Sequence, residues 1–151
     1  MPSNTDSGLR RLEIAISSLF RQGTARRIHE DAARSAGYDC ELASYLVLRT
    51  VADAGRIRIT DLAVEMGVEP STVSRHGQPL EARGLIEGGA DPDDARVALL
   101  AVTDKGAEVV SAIDEQKRRF LSGVLKTWSG RDREALFDLL HGSVVILGHG
   151  A

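Results

Sequence analysis

Leu9, Leu12, Ile16, Leu19 and Phe20 recur at intervals of three and four, the period of one helical face, and predict a helix from Leu9 to about Ala36. Gly37 ends it. A second helix is expected from a cap at Asp39, with Leu42, Tyr45, Leu46 and Val51 on its apolar face and Gly55 as its stop. Ile57-Arg58-Ile59 is too short to stand alone and predicts a third strand beside a hairpin. Thr60 is placed to cap a short helix over Asp61–Met66, and Gly67-Val68-Glu69 reads as a turn. Pro70 suits the first turn of a further helix, because the N–H it lacks has no partner there. That helix should run towards Arg83 and stop at Gly84. Leu85–Glu87 and Arg96–Val102 then form a hairpin around residues 88–95. Thr103 caps a long helix carrying Val109, Val110, Ile113, Phe120, Leu121, Val124, Leu125 and Trp128. Ser129 and Asp132 have the spacing of a capping box, and a last helix carries Leu136, Phe137, Leu139, Leu140, Val144 and Leu147.

The helix after Pro70 carries the most chemistry. At about 100° per residue, Val73, Gly77 and Leu80 fall on one side and should face inward. Ser71, Arg75, Gln78 and Ala82 cluster on the opposite side, with Thr72 and Ser74 on its flanks. Such a stripe suits a DNA major groove. Arginine can fork onto guanine O6 and N7, glutamine onto adenine N6 and N7, and hydroxyls onto phosphates or base edges. A polar helix face is more often merely solvated. The preceding helix, the turn and the hairpin in register favour a helix-turn-helix with a wing. Pro79 has no N–H to give the Arg75 carbonyl, and with Gly77 it predicts a kink or an early end at residues 77–79. A tilted Ser71–Arg75 segment would give an atypical preference among DNA sites.

Charge qualifies that reading. The formal net charge is −3, whereas DNA-binding domains are commonly basic. Residues 1–55 and 97–151 are each balanced, so the whole acidic surplus lies in residues 56–96. There Arg56, Arg58, Arg75, Arg83 and Arg96 face a larger number of acids, and DNA binding requires the two signs to lie on different faces. The chain has no apolar run of the ~20 residues that span a membrane, and its polar start, Met1 to Gly8, does not read as a signal peptide. With Cys40 as the only cysteine, a cytoplasmic protein is expected. The terminal helices are more apolar than a small winged core can cover. Packing on a second copy is the economical solution, and a larger monomeric bundle the alternative.

Five markers stand in order: D-L-A (61–63), S-T-V-S-R (71–75), L-E-x-x-G-L-I (80–86), D-P-x-D-x-R (91–96) and T-x-x-G (103–106). With them the chain resembles, over nearly its whole length, the multiple-antibiotic-resistance regulator (MarR) family. The resemblance implies a mainly α (α+β) fold, a winged helix-turn-helix with long N- and C-terminal dimerisation helices. Residues 1–36 and 104–151 would dimerise and residues 37–103 would bind DNA. It implies a homodimer on pseudo-palindromic promoter DNA, acting as a repressor and released by a small aromatic ligand or by thiol oxidation. Arg96 becomes the wing-tip arginine reaching a minor groove, and Asp94 the acid that orients it. No cofactor is implied.

The chain departs from the family pattern in three places. Glu69 replaces the usual serine-like cap before Pro70, Gly88-Gly89 stands where a basic residue is common, and H-G-Q-P occupies residues 76–79. Cys40 lies between Asp39 and Glu41, which would raise its pKa, and the thiol-sensing branch carries its cysteine earlier; a passive thiol is expected. His29, His76, His141 and His149 lack metal-ligand spacing. Asp91, Asp93 and Asp94 lack the glycine and glutamate of a calcium loop, so a solvated turn is expected. His76 is expected to pack at the base of its helix or touch a phosphate. By the resemblance Tyr38, Tyr45, Arg49 or Trp128 could line an effector pocket, though each is as credible in a core or on a surface. No nucleophile–base pair, phosphate-binding glycine loop or metal cluster points to an enzyme. The rival function is a winged-helix module that has lost DNA and binds protein.

Overall fold

The computed structural model describes residues 4–19, 22–91, 94 and 97–148. Its elements are α1 (Asn4–Leu19), α2 (Gln22–Ser35), α3 (Leu42–Ala54), β1 (Arg56–Arg58), α4 (Ile59–Met66), α5 (Pro70–Ala82), β2 (Ile86–Ala90), β3 (Ala98–Val102), α6 (Asp104–Val124) and α7 (Gly130–Gly148). Two compact units divide it, Met1–Lys117 and Arg118–Ala151, with the boundary inside α6. Among the described residues no helix is long and apolar enough to cross a membrane.

In the first unit β3 is the central strand of an antiparallel sheet ordered β1-β3-β2. Ile57 pairs with Leu100 and Ile86 with Val102, which joins the short strand to the hairpin as expected, but Ile59 belongs to α4 and not to the strand, and residues 88–90 extend β2 into what the spacing assigns to the loop. The core gathers Val47, Leu48 and Val51 of α3, Leu62 of α4, Val73 and Leu80 of α5, Leu85, Ile86, and Val109 and Ile113 of α6. Full burial of each such side chain contributes about 1.5–3 kcal/mol, so packing outweighs local propensity where the two conflict.

Helix ends follow backbone chemistry. Gly67 and Gly84 adopt positive φ, 65° and 67°. After α5 the Gly84 N–H reaches the Glu81 carbonyl and the Leu85 N–H the Leu80 carbonyl, both at 2.9 Å, a Schellman closure that buries Leu80 with Leu85. Thr103 caps α6: its Oγ1 accepts the Gly106 N–H at 3.1 Å and donates to the Gly84 carbonyl at 2.7 Å. In the second unit Ser129 and Asp132 form the expected reciprocal box, with Ser129 N to Asp132 Oδ2 at 3.2 Å and Asp132 N to Ser129 Oγ at 3.1 Å.

Five further expectations need correction. The stretch read as one helix from Leu9 to about Ala36 is α1 and α2, with residues 20 and 21 outside the described residues. The α2 stripe is a different one, His29, Ala32 and Ala33, too small and polar to register as a new apolar face. Asp39 does not cap α3. The N-cap is Glu41, because the Asp39 and Cys40 carbonyls are already taken by Arg83 and His29. Thr60 lies inside α4, whose N-cap is Arg58; β1 runs straight into the helix. The helix after Thr103 stops at Val124, short of Trp128, since the box at Ser129 starts α7 and the chain must turn first. Nor does α5 end early. It continues past Pro79 to Ala82, held by its buried face and its Schellman closure.

Candidate nucleic-acid interface

α4, the turn at Gly67 and α5 form a helix-turn-helix whose second helix buries Val73, Gly77 and Leu80. The opposite face is as the spacing required. Ser71, Arg75 and Gln78 are exposed, and Thr72 and Ser74 are half-buried. The Ser74 hydroxyl donates to the Pro70 carbonyl at 3.1 Å and keeps its capacity to accept. Glu69 is the N-cap and makes no side-chain cap bond, so the orphan N–H groups at the start of α5 lack that carboxylate. Of these, Pro70 has no N–H at all, and the Thr72 N–H already donates to the Glu69 carbonyl at 2.9 Å.

The wing is β2, β3 and the connection between them. Asp91, where the connection leaves β2, is buried and accepts from Arg58, with Nη2 at 2.7 Å. That hydrogen bond is the main reason the Arg58 guanidinium holds its proton more tightly than usual. One acid of the surplus thus serves structure rather than facing a ligand. Asp94 is exposed and its carbonyl accepts the Val97 N–H at 2.9 Å. Arg96, the expected minor-groove residue, lies outside the described residues, as does Asp93. Beside Gly88, where a methyl would meet Glu81 Oε1 at 3.1 Å, the wing carries no basic side chain at 88 or 89.

His76 packs as expected, with its partner on the N-terminal edge of α3. Its Nδ1 lies 2.9 Å from Glu41 Oε1, and its Nε2 lies 3.4 Å from Arg75 Nη2. Glu41 was absent from the sequence-derived site, since nothing periodic links residues 41 and 76. Two further cations border this corner: Arg83 donates to the Asp39 carbonyl at 2.7 Å and Lys105 to the Arg83 carbonyl at 2.9 Å.

A separate polar cluster joins α2, α3 and α6 within the first unit. His29 is buried, and its Nε2–H donates to the Cys40 carbonyl at 2.7 Å. Its Nδ1 has no partner among the described residues. Burial lowers its pKa, against the pull of that carbonyl. Its ring lies 4.7 Å from the Tyr45 ring, over which the Lys117 ammonium sits at 3.6 Å. Tyr45 and Arg49 both bond to Asp114, and Arg49 also to Asp53. Burial, then the Asp114 contact, raises the Tyr45 pKa; burial lowers that of Lys117. Cys40 is buried. Burial pushes its thiol up, Arg83 pulls it down, and Glu41 and Asp39 push it up again, the signature of a passive thiol.

The fold has counterparts among known proteins. The MarR family profile matches residues 41–98. A Bacillus subtilis protein, the uncharacterized HTH-type transcriptional regulator YxaD, is 32% identical over 115 residues, covering 76% of this chain and 80% of its own. The chain belongs to the MarR family of transcriptional regulators. Two solved structures share its fold. RV1404 from Mycobacterium tuberculosis gives a TM-score of 0.74 at 21% identity, covering 100% of this chain and 99% of that one. A cysteine-to-serine variant of MarR from E. coli, solved with operator DNA, gives 0.70 at 19%, covering 93% and 99%.

The four aromatic and basic residues that the MarR resemblance offered for an effector pocket do not act alike. Tyr38 lines a cavity of about 520 Å³ with Arg34, Cys40 and Glu41. Tyr45 and Arg49 are committed to Asp114. Trp128, in the second unit, lines a groove of about 440 Å³ with Leu136 and Leu139.

Proposed function

We propose that this MarR family member binds double-stranded DNA as a homodimer in the cytoplasm and represses a promoter carrying a pseudo-palindromic site. The observation that carries the reading is the split face of α5: Val73, Gly77 and Leu80 buried, Ser71, Arg75 and Gln78 outward. Two such helices, about one helical turn apart, enter successive major grooves, and Arg96, oriented by Asp94, reaches a flanking minor groove. The operator complex of the E. coli protein supports this use of the shared fold. Residues 1–36 and 104–151 join the two copies and residues 37–103 hold the DNA. A small aromatic ligand that prefers another spacing of the two DNA-binding lobes releases the site.

Selection of bound fragments from random DNA, followed by binding across salt concentrations, tests the reading. A single preferred motif with inverted halves is expected, with affinity falling steeply as salt rises. Arg75→Ala should cost about 1–3 kcal/mol and relax the choice at one base of each half-site. Arg96→Ala should weaken A·T-flanked sites more evenly. The acid surplus in residues 56–96 favours the rival, a protein-binding winged helix. No enriched motif, with no duplex bound at low salt, would decide for it.

A further inference from the structure

The Arg75 guanidinium is already engaged in the folded chain, and what engages it is anchored to another helix. Nη2 of Arg75 faces Nε2 of His76 at 3.4 Å, while Nδ1 of His76 faces Glu41 Oε1 at 2.9 Å. A guanidinium only donates and a carboxylate only accepts. One form of imidazole satisfies both, the neutral ring with its proton on Nδ1. Glu41 is held in turn. It is the N-cap of α3, its carbonyl accepts the Tyr45 N–H at 2.9 Å, and its Oε1 also accepts the Ser44 hydroxyl at 3.2 Å. Little of the His76 side chain reaches solvent, 17%. The Glu41 side chain is 65% exposed, but its backbone is set by the cap of α3 and its carboxylate by Ser44 and His76, which links the start of α3 to the tip of a side chain on α5.

We propose that His76, fixed by Glu41, is a positioning residue that presets Arg75 for a guanine edge and so sharpens base choice at that position. The inference rests on the DNA-binding reading above and adds a residue that touches no base. Arginine has many rotamers, and freezing them on binding weakens the complex; a side chain ordered beforehand loses less. One N–H given to His76 leaves enough of the five guanidinium donors for the fork onto O6 and N7. The effect is confined to one base pair per half-site, because Arg75 is the side chain that the His76 ring faces.

The test measures the wild type, Arg75→Ala, His76→Ala, His76→Gln and the Arg75→Ala/His76→Ala pair on the duplex selected from random DNA and on its full set of single-base variants. His76→Ala should weaken the selected duplex by about 3- to 10-fold and flatten preference at the base that Arg75→Ala flattens. In the Arg75→Ala background it should change affinity by less than about 2-fold, since the two residues act as one unit. His76→Gln, whose amide both donates and accepts, should restore most of the preference. A uniform loss over all duplexes, the mark of a damaged fold, overturns the proposal, as does an unaltered base profile or full additivity with Arg75→Ala. If Arg75→Ala itself flattens no base, the assignment of Arg75 fails first, and that result is visible without the His76 variants.

Discussion

Two glycines of the winged core differ in what a methyl group would do. At Gly106 an added Cβ would lie 2.0 Å from the Leu85 carbonyl oxygen and 2.9 Å from its carbon. Backbone cannot step aside there, because Thr103 pins the start of α6 to the same turn through Gly84 and Leu85. Gly106→Ala should therefore destabilise by about 3 kcal/mol, the upper range for overpacking, read as a lower urea midpoint at unchanged slope. At Gly77 the nearest atom would be Ile86 Cδ1 at 3.7 Å, an ordinary contact. Gly77→Ala should stabilise the helix by about 0.5–1 kcal/mol in the same measurement. Both glycines stood in motifs legible from the sequence, T-x-x-G and H-G-Q-P, but the Leu85 carbonyl that makes one indispensable is a tertiary contact. The outward stripe of Ser71, Arg75 and Gln78 needed only the helical period, and their exposure agrees with it. Glu41 and His76 meet across 35 residues, which no local pattern encodes.

Among the elements, α5 shows how far propensity can be overruled. A proline in a helix interior costs about 3 kcal/mol, which is the basis for expecting a break at residues 77–79. Leu80 and Leu85 lie just beyond it, both almost wholly buried, and the Schellman bonds need Leu80, Glu81 and Gly84 in helical register. Ending the helix early would expose two leucines, at about 1.5–3 kcal/mol each, so the helix survives its proline. Pro79→Ala supplies the missing donor to the Arg75 carbonyl in a helix that is already formed. It should raise stability by about 1–3 kcal/mol, seen as a higher melting temperature. A lower one would mean that the stiffening of the unfolded chain by proline is the larger effect. The same balance explains the caps. Thr103 and Ser129 sat at ends that the apolar pattern had already located. Asp39 and Thr60 are capping residues by type, but Arg83 takes the Asp39 carbonyl and Thr60 lies inside α4, whose N-cap is Arg58.

For the molecule as a whole, acid and association are the two levers. His29 is held neutral by burial, with its folded pKa below the ordinary 6.5, so the unfolded chain takes up the proton first as pH falls. Its contribution is fully present above about pH 6.5 and is lost towards the folded pKa, with a slope of at most about 1.4 kcal/mol per pH unit. His29→Gln should remove that slope from urea melts taken across mildly acidic pH; an unchanged slope would place the proton elsewhere. The proposed association would rest on apolar surface that one chain leaves open. Leu9, Leu12, Ile14 and Ile16 of α1 are exposed, as are Phe120, Leu121, Val124, Phe137, Leu139 and Leu140 in the second unit. In the proposed dimer these side chains are the surface that a second copy covers, since a closed pair of identical faces needs no other partner. Leu12→Glu with Phe137→Glu should turn a sedimentation profile from dimer to monomer while leaving the winged core folded by circular dichroism. A lone recognition helix then grips a lone half-site, so the loss of DNA affinity should far exceed that on a single half-site, where the dimer gains nothing from its second copy. Equal loss on full and half sites would mean that the charges had damaged the DNA-binding lobe itself, and a dimer that persists would move the interface off these helices.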